Sequence, residues 1–341
     1  MRWSGRRVAV YAHGVPTDMR KGFDSLCALV SEPLAKDPLN GDVFLFLSRN
    51  RIRAKVLHFD GTELCLYEAL GRQALTQPVI HVDETRWPRL GSDAPAAGTV
   101  WGLATPTIAF YRILPGKSAD EGRQFLGGYQ GTVVVDGYAV YEVLARDGPG
   151  FALAHCWAHT KRKYDAIAEH WPTACAEIDE LIGDLYAVER LVPGPFPGDA
   201  PAQALRQQLR QERSRPILDR IKTWATEQVG LPRSEFGKAV RYMLERWTGL
   251  TRFVDDPCIP LDNNSAERAL RGPVVGRKRW LFIGHPDAGW RSAVIYTFIL
   301  SCRRRGINPQ EYLSDVLRRL PAMNITQIAQ LLPGRWKAQP P

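Results

Sequence analysis

The chain has 341 residues, 45% of them hydrophobic, and a formal net charge of +9. That is enough apolar material for one large core and a smaller one, and the basic balance favours a polyanionic partner. Six cysteines without a C-x-x-C pair and no legible secretory leader predict reduced thiols in a cytoplasm, and the longest apolar run (Ala293–Leu300) is far below the ~20 residues of a membrane span.

Residues 1 to about 72 read as a small α+β unit. Pro16-Thr17-Asp18 marks a helix start, after which Phe23, Leu26, Cys27 and Val30 recur at helical spacing. Val43–Leu47 has the character of a buried strand. Arg51–His58 alternates, with Arg51, Arg53 and Lys55 on one face, which suits either a phosphate backbone or plain solvent. Gly-Val-Pro-Thr-Asp-Met-Arg-Lys-Gly-Phe-Asp (Gly14–Asp24), with Lys55-Val56-Leu57, Asp60-Gly61 and Leu64-Cys65-Leu66, resembles the accessory second-reading-frame protein of insertion-sequence-66 elements.

A junction at Gly71–Gln77 leads to a new pattern. Val79–Thr85 is a short β run ending in acids, which places Asp83 near a strand's end and projects its neighbour Glu84 to the opposite face. After a Gly/Pro-rich loop come two more strands, Thr99–Ala104 and Ile108–Leu114, and a short helix, Asp120–Leu126. Gly131–Val135 is again wholly apolar and delivers Asp136 just before Gly137. Taken singly, a strand-end Asp before Gly is commonly a turn residue.

Phe151–Ala154 runs into His155-Cys156-Trp157-Ala158-His159. Cys156 and His159 have the spacing of half a zinc site, but no second pair completes a tetrahedron; a buried thiol beside a hydrogen-bonded imidazole is the competing reading. From about Lys161 to Asp256 the pattern is helical. Ile178, Leu181, Ile182, Leu185 and Val188 form an apolar stripe, Val192–Pro201 interrupts it, and helices resume at Arg220–Gly230 and Ser234–Val254. Arg206, Arg210, Arg213 and Arg215 are expected to be exposed there, as secondary contacts to DNA.

Leu261–Phe282 concentrates the chemistry. Asp262 is a good N-cap, and a helix from Asn263 to about Arg271 sets Asn263, Asn264, Glu267 and Arg271 on one face. Glu267 is the only acid between Asn263 and Phe282, among Arg268, Arg271, Arg277, Lys278 and Arg279. Such a carboxylate suits a metal while its neighbours hold phosphates; a capped surface helix with a salt bridge is the alternative. Gly289–Arg305 follows as a helix with Val294, Ile295, Phe298 and Ile299 on its apolar face, and Tyr312, Leu313, Val316, Leu317 and Leu320 mark one more.

His81-Val82-Asp83-Glu84-Thr85, Val135-Asp136-Gly137-Tyr138, Cys156-Trp157-Ala158-His159 with Arg162-Lys163, Asp262-Asn263-Asn264 with Ala266–Arg271, Gly276–Phe282 and the terminal Leu331–Trp336 together resemble the insertion-sequence-66 (IS66) transposase, from about Pro78 to Trp336. The resemblance implies an α/β fold: an RNase H-like DDE core at 78–305 with a helical insertion at about 161–256, preceded by the α+β domain 1–72 and followed by a helical extension, 306–341. It implies that Asp83, Asp136 and Glu267 are catalytic and hold two Mg²⁺ ions, with Mn²⁺ as a substitute. Arg268, Arg271, Arg277, Lys278, Arg279, Asn263 and Asn264 are then expected to contact DNA, and Cys156 and His159 to support the site. The implied activity is cleavage and strand transfer on double-stranded DNA, element ends and target, by a homo-oligomer assembled on DNA in a bacterial, nucleoid-associated cytoplasm. A non-catalytic DNA-binding fusion and a nuclease without strand transfer are the alternatives. The family normally carries a helical segment and a Cys-rich zinc element before its core. This chain passes there directly from the accessory-like unit, so little sequence preference on DNA is expected.

Overall fold

The computed structural model describes residues 9–21, 23–38, 42–50, 54–58, 62–88, 97–148, 150–228, 233–280, 289–320, 323 and 325–338. The chain divides into two compact units, Met1–Ala69 with Leu313–Pro341, and Leu70–Tyr312. In the first, β1 (Val10–Ala12), α1 (Phe23–Ser31), β2 (Val43–Leu47) and β3 (Ala54–His58) build a three-stranded sheet, order β1-β2-β3, backed by one helix. Alternation in β2 turns Phe44 and Phe46 inward, where they meet Leu26, Cys27 and Val30 of α1 and Leu57 of β3. The helix starts later than Pro16-Thr17-Asp18 predicts, because Asp18 is engaged in a turn, accepting from the Arg20 N–H at 2.9 Å. Lys55 Nζ donates to Lys21 O at 2.7 Å; Arg51 and Arg53 lie outside the described residues.

The helix α2 (Thr62–Ala74) carries the chain onward, so the predicted junction begins as its last turn. In the larger unit β4 (Val79–Pro88), β5 (Ala97–Ala104), β6 (Ala109–Leu114), β7 (Thr132–Val135) and β8 (Ala152–His155) form a mixed sheet in the order β6-β5-β4-β7-β8. The first three strands are an antiparallel meander; β7 and β8 add in parallel on the other side of β4. The crossovers are α3 (Ala119–Leu126), opened by a Ser118–Glu121 capping box, and α4 (Ala139–Asp147). Phe125 of α3 and Tyr141 of α4 pack against Trp101 of β5 on one sheet face.

The opposite face receives the helical insertion: α5 (Trp157–Asp165), α6 (Pro172–Glu189), α7 (Ala200–Leu209), α8 (Arg215–Glu227), α9 (Glu235–Glu245) and α10 (Trp247–Thr251). The predicted stripe of Ile178, Leu181, Ile182 and Leu185 joins Ile221, Phe236 and Met243 in a core that reaches Val79, Val134 and Ala154 on the sheet. Two of its arginines contradict their expected exposure: Arg206 is 3% and Arg210 0% exposed. Arg210 pairs with Glu189 at 2.6 Å and donates to the carbonyls of Phe253 and Asp256 at 2.6 and 2.9 Å. Burial is tolerated because a carboxylate and helix-end carbonyls satisfy the guanidinium fork, partners that periodicity cannot reveal. Arg213 and Arg215 are exposed, and Arg215 bridges to Asp255 at 2.6 Å.

Three helices follow, α11 (Asn264–Trp280), α12 (Gly289–Arg304) and α13 (Pro309–Arg319). α11 runs well past the predicted end near Arg271, with Pro273 inside it. Proline removes the N–H that would bond the carbonyl four residues back. Tyr111 of β6 supplies the replacement, its hydroxyl donating to Ala269 O at 2.8 Å. α12 also differs from expectation: Ile295 is 54% exposed, and Ala293, Thr297, Phe298 and Ser301 are buried. Its polar side chains cap the edge strand β6, with Thr297 Oγ1 accepting from Tyr111 N at 3.1 Å and Ser301 Oγ from Ala109 N at 3.0 Å. A sheet edge has unpaired main-chain groups to satisfy, and that requirement outweighs the apolar stripe here.

Candidate active site

β4 lies between an antiparallel and a parallel neighbour. Its register with β7 pairs Val79 with Thr132, Ile80 with Val133 and His81 with Val134. The pairing ends there; two residues further along each strand's chain come Asp83, on the β4 face that carries His81, and Asp136, one residue past the end of β7. Asp83 is not at the end of its strand, as β4 continues beside β5 to Pro88; it stands where β4 parts from β7. Glu84 projects to the other face, as alternation requires, where the Tyr141 hydroxyl donates to it at 2.7 Å.

Both aspartates are tied to their own main chains. Asp83 accepts from Glu84 N at 2.8 Å and Asp136 from Tyr138 N at 2.9 Å. Gly137 has φ +98, which turns the chain sharply after Asp136, and a Cβ there would collide with the Tyr242 hydroxyl. That hydroxyl donates to Asp136 O at 2.9 Å, and Arg246 donates to Gly137 O at 3.3 Å. Tyr242 and Arg246 are thus site-building residues that the sequence reading did not single out; nothing in their local pattern marks them, since they come from α9 and its end.

The third acid arrives on α11, which crosses the same sheet face. Gly102, opposite Asp83 on β5, permits the approach: a Cβ on it would stand 2.9 Å from Leu270. Two contacts stitch the start of α11 to the start of α5, Trp157 N to Leu261 O at 2.9 Å and Asn263 N to Cys156 Sγ at 3.2 Å. Asn263, expected at the DNA surface, is instead wholly buried. It takes the cap position, its carbonyl accepting from Glu267 N, while its side chain donates to Val82 O at 2.8 Å and meets His81 Nδ1 at 3.0 Å. Asp262, one residue earlier, accepts from Asn264 N at 3.0 Å. Burial pushes the His81 imidazole down to about 4, so it is neutral and donates through Nδ1 to the amide oxygen.

Glu267 is held by a base of the Cys156–Lys163 segment, one to which the sequence reading gave no role of its own. Arg162, one helical turn beyond His159 on α5, places Nη2 at 3.0 and 3.1 Å from the two Glu267 oxygens and Nη1 at 2.9 Å from His159 Nε2. His159 Nε2 lies 3.7 Å from Glu267 Oε1, and burial with the nearby Arg162 charge lowers its basicity. The Cys156 thiol is buried and pushed up to about 11, the state of a structural thiol. Burial, and then the charges of Asp136, Glu84 and Glu267, push the Asp83 carboxyl up to about 7. Among the described residues no three His, Cys, Asp or Glu side chains are gathered closely enough to hold an ion; Glu267 turns to Arg162 instead.

The remaining bases spread along α11. Arg268 and Arg271 are exposed, and Arg277 bonds Thr85 Oγ1 at 3.3 Å and the Arg86 carbonyl, anchoring α11 to β4. Lys278 and Arg279 lie on α11, but their side chains fall outside the described residues. Arg304 of α12, not anticipated, closes the other end of the helix by donating to Thr105 O at 2.6 Å and Ser265 O at 3.1 Å.

Fold and site define a mixed α/β protein whose central strands and one crossing helix bring acids to a single sheet face beside exposed bases. Residues 45–291 match the model of the family described as Transposase IS66 family, and residues 297–333 match the IS66 C-terminal element. The chain belongs to the IS66 transposase family. Three relatives come from Sinorhizobium fredii. Uncharacterized protein y4jD is 32% identical over 294 residues, covering 80% of this chain and 56% of that protein. Uncharacterized protein y4hP is 29% identical over 318 residues, covering 85% of this chain and 56% of that protein. A shorter stretch of 64 residues is 42% identical to uncharacterized protein y4hO. The chain therefore spans little more than half the length of the longer relatives. No helix among the described residues is long and apolar enough to cross a membrane.

Proposed function

We propose that this chain is a DDE-type DNA transposase with an RNase H-like core, using Asp83, Asp136 and Glu267 in metal-dependent strand cleavage and strand transfer. One observation carries the reading: Asp83 on β4 and Asp136, one residue past the end of the neighbouring β7, lie close enough to each other and to Glu267 of α11, the helix that crosses this sheet face, for the other two charges to act on Asp83. The donor set is all hard oxygen, and burial, with the charges of three neighbouring carboxylates, pushes the Asp83 carboxyl up to about 7. A divalent cation is the counter-charge such a set suits, and Asp83, Asp136 and Glu267 would hold Mg²⁺. When bound, a pair of such ions supplies activation of the attacking oxygen and stabilisation of the leaving one. The chain itself contributes rigid placement of the acids by strands and helix, and exposed bases, Arg268 and Arg271 foremost, that seat DNA phosphates. Glu84, on the far face and bonded to Tyr141, braces β4 rather than sharing the ligand set.

Double-stranded DNA is the substrate in this reading, with the chain acting as a homo-oligomer assembled on it. The first 72 residues are, in this reading, an accessory-type unit joined to the core. The test is nicking of supercoiled plasmid with and without Mg²⁺. Asp83→Asn, Asp136→Asn and Glu267→Gln should each remove nicking while leaving DNA affinity within a few-fold, since phosphate contacts dominate binding. Near-parental cleavage by any of the three would remove that residue from the ligand set. Joining of a 3′-hydroxyl end to a second duplex separates a transposase from a plain nuclease.

A further inference from the structure

We infer that Arg162 is a latch on Glu267 which a DNA phosphate opens, so that DNA binding releases the glutamate to the metal site. The inference rests on Glu267 being a metal ligand, as proposed above. Both Glu267 oxygens are bonded to one Arg162 nitrogen, at 3.0 and 3.1 Å, and a carboxylate so engaged is not free to ligate. Among the described residues the other basic group beside Glu267 is the His159 imidazole, whose Nε2 lies 3.7 Å away, beyond hydrogen-bond reach. The pair is accessible: the Arg162 side chain is 52% exposed and that of Glu267 29%. His159 Nε2 accepts from Arg162 Nη1 at 2.9 Å and fixes the plane of the guanidinium.

A guanidinium fork fits a phosphate as well as it fits a carboxylate, so an arriving strand can take over Arg162 without leaving any charge unpaired. The guanidinium passes from carboxylate to phosphate, and the carboxylate passes from guanidinium to cation. Half exposure makes the ion pair weak enough to exchange. By linkage, DNA and metal then bind with positive coupling that runs through Arg162, and a cation is taken up with all three ligands only where a substrate phosphate is in place.

The experiment measures Mn²⁺ affinity of the full chain by electron paramagnetic resonance, with and without a short duplex. A duplex should tighten Mn²⁺ binding by parental protein at least about fivefold. Arg162→Gln should show that gain without DNA, and adding Glu267→Gln to it should cancel the gain. Arg162→Lys keeps the charge and loses the fork; it should recover most of the gain, and parental behaviour would mean that long-range charge explains the effect and the latch is wrong. A second readout needs no metal: in EDTA, Arg162→Gln should flatten the slope of log K for DNA against log salt by about 0.9, one phosphate contact. Mn²⁺ binding that Glu267→Gln abolishes but that neither duplex nor Arg162→Gln improves would leave the ligand reading standing and sink the latch. Absence of Mn²⁺ binding in every protein, with and without duplex, would overturn the ligand reading and the latch with it.

Discussion

Replacing Asp83 by Asn removes one buried charge at nearly constant shape, and its effect should depend on pH. The carboxyl is raised from 3.8 to about 7 in the folded chain, chiefly by burial. The folded pKa lies above the unfolded one, so the folded state binds the extra proton between them. Asp83's contribution to stability is therefore complete below about pH 4 and is lost as pH rises through 7. Three pKa units correspond to about 4 kcal/mol, of which about 3 falls between pH 5 and 8; residual solvent contact trims this to about 2. Asn does not titrate, so the stability of Asp83→Asn relative to the parent should rise by about 2 kcal/mol from pH 5 to pH 8. For a unit of this size that is a relative gain in Tm of about 4–8 °C. Thermal melts in EDTA at pH 5, 6, 7 and 8 read it directly. At pH 8, Mg²⁺ should raise the parental Tm and leave that of Asp83→Asn nearly unmoved. A stability difference that stays flat with pH would refute the placement of Asp83 in a desolvated, carboxylate-crowded position.

Asn263→Ala leaves His81 Nδ1–H and Val82 O buried without their partner and should cost about 2–4 kcal/mol, measurable by denaturant melts; an effect on DNA affinity without loss of stability would return Asn263 to the DNA surface. Arg210→Ala leaves Glu189 to Arg206 alone and takes the donor from the carbonyls of Phe253 and Asp256; it should destabilise by about 2–4 kcal/mol, with the DNA salt slope unchanged at a temperature where the variant is folded. On duplex DNA the full chain should bind with strong salt dependence but a preference for element ends well under the ~10³ of specific binders, as phosphate contacts carry no base information; a thousandfold preference in competition with random duplex would reveal a sequence reader in this chain.

Local pattern alone determined a good deal of this protein. Short apolar runs bounded by turn residues placed β2, β5 and β7 within a residue or two, and the residues flanking Asp83, Asp136 and Glu267 identified the family, because such runs and short motifs are properties of neighbouring residues. Tertiary contacts decided what such neighbours cannot encode. The helix was expected to end near Arg271, just before Pro273, yet the Tyr111 hydroxyl, far away in sequence, satisfies the carbonyl that proline orphans, and α11 continues. The apolar residues of α12 suggested one buried face, but the unpaired edge of β6 required hydroxyls and turned another face inward. Arg210 looked like a surface base until Glu189 and two carbonyls enclosed it. Glu267 was legible as the lone acid of a basic helix, whereas its pairing with Arg162 depends on α5 and α11 being stitched together at Cys156–Asn263, 107 positions apart. In each case a buried polar group had to find its partner in space, and only the fold sets that distance.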